Sequence, residues 1–544
     1  MIRLVLDRQT AEYEQDIREL CKSFYPGEDF EIHTPEGVHL SETTQEEKTA
    51  LKRGTRRQPA SVRLSLELEG SKLSLTGDRK KDKSYLKAEV YSILSAMTGR
   101  ELPWGDLTGI RPISLVSPLM EAAGRKQKDG LPDEAALAEI REKMQQEYLI
   151  SGEKLSLMME IGLREQKILQ RIRQKTGRDY HQGWSLYIGI PFCPTRCLYC
   201  SFTSNPIGKW ENRLSEYMEK LRQEVRFSMH AMCEGKGKYL QTIYIGGGTP
   251  TALPEFWLQK LMELVQEECL AHPMANVCEF TVEAGRPDSI TAEKLRILKA
   301  AGVDRISVNP QTFQQKTLDL IGRRHTVEAV KEAYVMARQQ GFDNINMDII
   351  LGLPGERLPE VTETLCEITR LRPDSLTVHS LAVKRAARLT LEKDYWAGVY
   401  RAGADSQRFE EELPLEELRE AGMAAEELPV QQLTEMERMM KASEYTARRL
   451  GLKPYYLYRQ KNMAGNLENT GYCEEGKECL YNILMMEEKH TVIGCGAGTS
   501  SKVCCEDGRG GKRIERCDNG KDIGNYLDNL PLMLERKRKI LEIK

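Results

Sequence analysis

Between about residues 183 and 385, short β-branched runs alternate with helix-forming segments, and this alternation restricts the chain to architectures built on a parallel sheet. Candidate strands are Ser185–Ile190, Thr242–Gly246, Phe280–Ala284, Arg305–Asn309, Asn344–Leu351 and Ser375–Leu381. Intervening helices begin near Trp210, Pro254, Thr291, Thr326 and Leu358. Six parallel strands can build a doubly wound sheet or part of a (β/α) barrel, and periodicity does not separate the two. In either case the active site forms from the loops at the carboxyl edge of the strands.

Each candidate strand delivers something polar or glycine-rich near that edge. The first feeds Cys193-Pro-Thr-Arg-Cys197-Leu-Tyr-Cys200, and the second feeds Gly246-Gly-Gly-Thr-Pro250. The third reaches Glu283, the fourth Gln311, the fifth contains Asp348 and the sixth carries His379. The CxxxCxxC spacing offers three thiolates, which suits a four-iron cluster and leaves one iron for a small molecule. Zinc also takes thiolates, but it needs a fourth ligand and explains neither the glycine triplet nor the strand-end acids. Gly246 to Gly248 lack Cβ atoms, so a ligand can approach the bare backbone. Asp348 lies in an apolar strand, where an unpaired carboxylate is costly to bury, so it needs a ligand or an arginine as partner.

The chain has 544 residues, enough for two to four domains. Its 79 Lys and Arg nearly balance 82 Asp and Glu, and the net charge of -3 gives no global reason to expect nucleic acid or an anionic membrane as partner. No apolar run approaches the ~18 to 20 residues of a membrane span, so the expectation is a soluble, cytoplasmic protein. Fourteen cysteines in a reducing compartment argue for metal or cluster binding rather than a disulfide framework. Cys473, Cys479, Cys495, Cys504 and Cys505 are spaced irregularly and read as free thiols rather than a second cluster.

Residues 1–180 read as a separate N-terminal α+β domain of unknown role. It has a strand at Ile2–Leu6, a helix near Thr10–Phe24, a hairpin of Val62–Leu68 with Lys72–Thr76 turning at Glu69-Gly70-Ser71, and a helix at Tyr85–Thr98. Trp104 to Pro112 breaks regular structure. The basic runs Lys52–Arg57 and Arg79–Lys83 lack interleaved aromatics for base stacking and read as solvated loops. Residues 181–390 are the core, and 391–435 are an acidic helical connector. Residues 436–544 form a C-terminal α+β domain covering the substrate, with a helix through Arg449, the tyrosines Tyr455, Tyr456 and Tyr458 as packing or surface residues, the glycine-rich Val492–Gly498, a surface loop at Glu506–Lys521 and a terminal helix.

The runs PFCPTRCLYC, GGGTP, VEAGRPD, SVNPQTF, GRRHT and NINMDIILGLPG, in that order, resemble a radical S-adenosylmethionine (SAM) enzyme. More narrowly, the chain resembles the oxygen-independent coproporphyrinogen III oxidase (coproporphyrinogen dehydrogenase) family. WGDLTGIRP, YYLYRQKN, GNLENTGYCEEGKECLYN and VIGCGAGTSSK point to its HemZ-like branch. The resemblance implies a partial (β/α)6 barrel core and two cofactors, a [4Fe-4S] cluster and SAM. It implies that Cys193, Cys197 and Cys200 are the metal ligands and that SAM chelates the fourth iron. Tyr187 then stands beside cluster and SAM as a catalytic and cofactor-binding residue. Gly247 and Gly248 line the SAM methionine moiety, Thr249 is a further cofactor-binding residue, and Glu283, Gln311, Arg323 and Asp348 contact SAM. The implied reaction is the oxidative decarboxylation of two propionates of coproporphyrinogen III to give protoporphyrinogen IX in haem biosynthesis. The implied partners are a tetrapyrrole substrate and a reduced flavodoxin or ferredoxin-like electron donor.

Two departures from the family pattern bear on the decarboxylation and not on cluster or SAM binding. The oxidases carry His two residues after the tyrosine, where this chain has Gly189, and a fourth cysteine two residues after the third, where it has Phe202. Phe202 is shared with the haem-chaperone relatives, the HemW-like proteins. The alternatives are therefore a haem-binding chaperone and a radical SAM enzyme acting on haem or another tetrapyrrole. His379 and His325 are the candidates for a displaced histidine role, although His325 also reads as a cap of the helix that follows it.

Overall fold

A computed structural model describes the chain except residues 26–27, 29, 42–63, 71–72, 74, 109–110, 201–203, 383–432, 461–466, 507–511 and 543–544. Phe202, the Lys52–Arg57 run and most of the expected acidic connector lie outside the described residues. The chain divides into two compact units: Met1–Pro112 with Pro118–Met159, and Ile113–Ser117 with Glu160–Lys544.

The first unit is a four-stranded sheet with helices. Its strands are β1 (Ile2–Leu6), β2 (Phe30–Thr34), β3 (Gly37–Ser41) and β4 (Leu64–Leu68), in the order β3-β2-β1-β4. Alternation decides which face is buried: Ile2, Leu4 and Leu6 join Leu64, Leu66 and Leu68 in one core. The apolar stripes of helices Glu14–Phe24 and Arg79–Thr98 complete that core with Ile17, Leu20, Phe24, Val90 and Leu94. β4 pairs parallel with β1, Ile2 opposite Leu64, and among the described residues of the expected hairpin partner Lys72–Thr76 none is in a strand. Leu73 instead donates its amide to Glu69 and Gly70 oxygens, and Asp82 accepts from the Thr76 and Gly77 amides. Arg79–Lys83, expected as a loop, starts a helix, with Asp78 accepting from the Lys80 and Lys81 amides as N-cap.

The second unit carries an 11-stranded sheet. Its central six strands are parallel and adjacent: β5 (Gly183–Ile190), then β8 (Tyr239–Gly247), β9 (Ala275–Gly285), β10 (Arg305–Val308), β11 (Ile345–Leu351) and β12 (Ser375–Ser380). A short parallel pair, β6 (Phe192–Cys193) and β7 (Asn205–Pro206), brackets the cysteine loop. Helices Leu214–Met229, Glu255–Val265, Ala292–Ala300, Val327–Gln339 and Leu358–Leu371 connect the six. The first helix starts at Leu214 rather than Trp210, after two short 3-10 turns. The strands do not close on themselves, so the core is the partial (β/α)6 barrel expected. Leu186, Ile188, Ile190, Ile243, Ile245, Phe280 and Val282 belong to the core packed by these helices. Their alternates, Tyr187 and Tyr244, pack on the opposite face with Tyr481.

The segments after residue 433 extend this same sheet at both edges. β13 (Lys453–Tyr458) and β14 (Asn469–Cys473) add antiparallel beyond β12. β15 (Thr491–Cys495) adds parallel to β5, Gly494 opposite Tyr187, and is followed by the antiparallel β16 (Ser500–Glu506) and β17 (Lys512–Asp518). Of the expected Glu506–Lys521 loop, Lys512–Asp518 is a strand paired with Ser500–Glu506, and residues 507–511 lie outside the described residues. Tyr455 and Tyr456 are buried in the core. Among the described residues, no helix is long and apolar enough to cross a membrane.

The β15 edge is locked by an ion pair with no solvent exposure. Lys537 Nζ donates to Glu224 Oε1 at 2.5 Å and to the Gly494 carbonyl at 2.5 Å. Glu224 also accepts from the Gly496 amide (2.6 Å), the Tyr526 hydroxyl (2.7 Å) and the Asn519 amide (2.7 Å). Lys537→Met is expected to lower stability by ~3–5 kcal/mol, because it leaves a buried carboxylate without its counter-charge. Glu224→Gln in the same chain should recover part of the loss, and urea unfolding of parent, single and double variants reads both.

Candidate functional site

The register of β5 against β8 brings the cysteine loop to the glycine triplet, with Gly189 opposite Gly246 and Ile190 opposite Gly247. The Gly248 amide donates to the Ile190 carbonyl (2.8 Å) and the Thr249 amide to the Phe192 carbonyl (2.7 Å). A Cβ on Gly248 would stand 2.4 Å from the Phe192 oxygen and 3.0 Å from Cys193 Sγ, so only glycine permits the approach. Gly247 has φ +108°, again a glycine conformation. Thr249 Oγ1 lies 3.5 Å from Cys193 Sγ.

The loop between Cys193 and Cys200 is held from several sides. The Leu198 amide donates to the Ile321 carbonyl, and Thr195 Oγ1 to the Gly322 carbonyl. Cys193 and Cys197 are buried and Cys200 is half-buried. Burial pushes the Cys193 thiol up to about 11, with its neighbours Cys200 and Cys197 adding to the rise and Thr249 opposing it. Among the described residues no three Cys, His, Asp or Glu side chains are grouped to share one metal ion. A cubane cluster does not need such convergence, since each thiolate takes a different iron.

Next to the loop, Tyr244 and Glu283 form a pair on the inner face of the sheet. The Tyr244 hydroxyl donates to Glu283 Oε1 at 2.6 Å. Tyr244 stacks on Tyr481 at 4.5 Å and on Tyr187 at 5.9 Å, a three-ring wall. Tyr481 arrives on the short helix Leu480–Met486, whose first amides are accepted by buried Glu279. A Cβ on Gly246 would meet the Glu283 carboxyl at 2.8 Å. Sequence reasoning missed Tyr244, Tyr481 and Glu279, since they are unremarkable in local pattern.

Gln311 and Asp348 are joined through the backbone: the Gln311 amide donates to the Asp348 carbonyl, and the Ile350 amide to the Gln311 carbonyl. Gln311 is a non-glycine residue at φ +68°, and its buried Oε1 has no hydrogen-bond partner among the described residues. Asn309 Oδ1 is in the same condition. Such orphaned buried oxygens are expected where a ligand completes the site. Asp348 accepts from Asn346 Nδ2 at 2.6 Å and lies 3.8 Å from His379 Nε2. Burial works to raise the Asp348 pKa, but His379, Asn346 and Thr377 outweigh it and hold the carboxyl below its ordinary value.

Arg323 points back to the cysteine loop, donating to the Asn309 carbonyl (2.6 Å) and the Tyr199 hydroxyl (3.3 Å). His325 does not cap the following helix, because Thr326 accepts the Ala329 amide in that role. His325 Nε2 instead accepts from Arg323 Nε at 3.1 Å, and burial with that guanidinium lowers its pKa to about 4. His379 lies near Asp348 and 3.3 Å from the Tyr458 hydroxyl. Cys193, Cys197 and Cys200 are thus brought together with Gly248, Thr249 and Arg323. Tyr244 links Tyr187 to Glu283, and Gln311 and Asp348 are linked to each other through the backbone. Buried thiols, a bare glycine backbone and orphaned amide oxygens fit a thiolate-bound cluster and a polar ligand.

At position 189 a side chain would require Thr499 to shift. A Cβ there would stand 2.4 Å from Thr499 Cγ2, on the turn after β15. The Tyr217 hydroxyl donates to the Gly189 carbonyl (2.6 Å) and fixes the strand from behind.

Glu283 yields a stability prediction. Burial raises its pKa to about 7; the Tyr244 hydroxyl opposes the rise and Asp348 adds to it. The folded chain thus holds this proton to higher pH than the unfolded one. The stability contributed is full below the unfolded value and is lost as pH rises through about 7. Glu283→Gln is expected to stabilise the ligand-free protein by ~1–3 kcal/mol near pH 8 and to change little near pH 4. Denaturation midpoints at the two pH values test this.

A profile of the radical SAM superfamily matches residues 187–366. Over 456 residues the chain is 38% identical to the oxygen-independent coproporphyrinogen-III oxidase-like protein HemZ of Bacillus subtilis, covering 83% of this chain and 79% of that one. It is 40% identical over 200 residues to the heme chaperone HemW of Bacillus subtilis, covering 37% and 51%. It is 30% identical over 213 residues to the oxygen-independent coproporphyrinogen III oxidase of Escherichia coli, covering 39% and 45%. The chain spans about half the length of these last two. Proteins of the matched superfamily use a [4Fe-4S] cluster and SAM. With kinship to the HemZ protein running through most of both chains, this chain belongs to the radical SAM superfamily, in the HemZ-like branch of the oxygen-independent coproporphyrinogen III oxidase family.

Proposed function

We propose that this chain is a radical SAM oxidoreductase that converts propionate side chains of coproporphyrinogen III to vinyl groups without oxygen, giving protoporphyrinogen IX in haem biosynthesis. The observation that carries this reading is the reach of the kinship. The oxidase-like HemZ relative aligns over 83% of the chain, whereas the alignments with the chaperone and with the Escherichia coli oxidase cover 37% and 39%.

In this reading Cys193, Cys197 and Cys200 each hold one iron of a [4Fe-4S] cluster. Gly247, Gly248 and Thr249 offer backbone and hydroxyl groups to SAM, while Glu283, Gln311, Arg323 and Asp348 accept or donate to its polar groups. Together the two cofactors supply a one-electron reductive route to removing a hydrogen atom from an unactivated carbon. Each propionate then loses that hydrogen atom, CO2 and one electron, and becomes a vinyl group. The electron leaves to a one-electron acceptor, and a reduced flavodoxin or ferredoxin-like donor supplies the electron that starts each turnover. Tyr187, Tyr244 and Tyr481 wall the site from water, and His325 holds Arg323 in place through Nε2.

A second reading, a haem carrier or an enzyme acting on another tetrapyrrole, is favoured by Gly189. The Thr499 methyl occupies the space a side chain there would need.

Anaerobic reconstitution with reductant, SAM and coproporphyrinogen III tests the choice. The proposal expects 5'-deoxyadenosine together with a vinyl-bearing product, and loss of both with at least tenfold slower turnover in Cys193→Ala. 5'-Deoxyadenosine without vinyl product sinks the oxidase reading in favour of another tetrapyrrole reaction. Stoichiometric haem binding without turnover sinks it in favour of a carrier.

A further inference from the structure

Arg286 directly follows the Gly285 turn (φ +65°) at the end of β9 and is 4% exposed. One side of its guanidinium is satisfied by Asp288, with Nε to Oδ1 at 2.9 Å and Nη2 to Oδ2 at 2.7 Å. The remaining nitrogen, Nη1, reaches into the cysteine loop. It donates to the Thr195 carbonyl (2.9 Å) and Thr195 Oγ1 (2.8 Å), and lies 3.9 Å from Cys197 Sγ. The Arg286 backbone is fixed in turn, its carbonyl accepting from Ser289 Oγ at 2.8 Å. Thr195 passes the clamp on to the Gly322 carbonyl, next to Arg323.

A buried arginine fully engaged in this way has a specific geometric task. A lysine cannot hold a carboxylate bidentately while sending another N–H in a fixed direction. Asp288 occupies Nε and Nη2, so the group directed at Cys197 is the Nη1 N–H, carrying the guanidinium's partly offset positive charge. Hydrogen bonds to cluster-ligating sulfurs favour the reduced, more electron-rich cluster and raise its potential.

We propose that Arg286 is a positioning residue for the cluster. It fixes the Cys193–Cys197 segment through Thr195, donates to the Cys197 thiolate and so sets the reduction potential at which the cluster accepts its electron. This rests on the assignment of Cys193, Cys197 and Cys200 as cluster ligands.

The test uses the full chain, reconstituted anaerobically as parent, Arg286→Gln and Arg286→Lys, with iron and sulfide content and an EPR-monitored redox titration as readouts. The expected result is a more negative potential in Arg286→Gln, with only partial return in Arg286→Lys. Equal potentials at equal iron content in parent and Arg286→Gln overturn the proposal. A parent that takes up no cluster refutes the underlying ligand assignment instead. If Arg286→Gln does not fold, Asp288→Asn is titrated in its place: it frees the guanidinium from its anchor, and a potential unchanged from the parent likewise overturns the proposal.

Discussion

The close approach of Gly248 to the cysteine loop is the constraint on which the rest of the site depends. Two backbone hydrogen bonds, from Gly248 to Ile190 and from Thr249 to Phe192, join the second strand-end turn to the first. They are possible because position 248 has no Cβ to strike the Phe192 oxygen. That contact sets where the thiols lie relative to Tyr244 and Glu283. Any side chain at 248 must separate the two turns, whatever it does to the ligands themselves.

Around that contact the molecule combines a strongly satisfied frame with an under-satisfied centre. The frame includes the Glu224–Lys537 pair, the Glu279 cap of the Tyr481 helix and the Arg286–Asp288 clamp. The centre holds a carboxyl raised to about 7, a thiol raised to about 11 and amide oxygens without partners among the described residues. Such groups disfavour the ligand-free fold and are the ones a bound cation, metal or hydrogen-bond donor would satisfy. The stability of the frame allows the centre to be kept in that state.

The sequence made the core strands legible because each is a short apolar run bounded by Gly, Pro or a polar cap. Phe280–Ala284 and Ser375–Leu381 lie within a few residues of β9 and β12. The strand-end residues followed from the rule that parallel strands present their loops at one edge. What failed or went unseen depends on partners distant in sequence. β4 pairs with β1, some 60 residues earlier. Tyr481 stacks on Tyr244 across more than 200 residues, and β14 and β15 join opposite edges of a sheet begun at residue 183. Arg286 stood inside a recognised motif, yet its role depends on the direction of one nitrogen, which no spacing encodes. The Gly189 position shows the same limit, since its meaning comes from the Thr499 methyl.

The central claim is that three thiolates hold a cluster whose fourth iron takes SAM directly. Pulsed ENDOR on the reduced, reconstituted protein with SAM labelled at its amino nitrogen or carboxylate oxygen tests it most directly. The account predicts hyperfine coupling from the labelled atom to the cluster, appearing on SAM addition and absent from Cys197→Ala. A fully loaded cluster that shows no coupling to either label with SAM bound would contradict it.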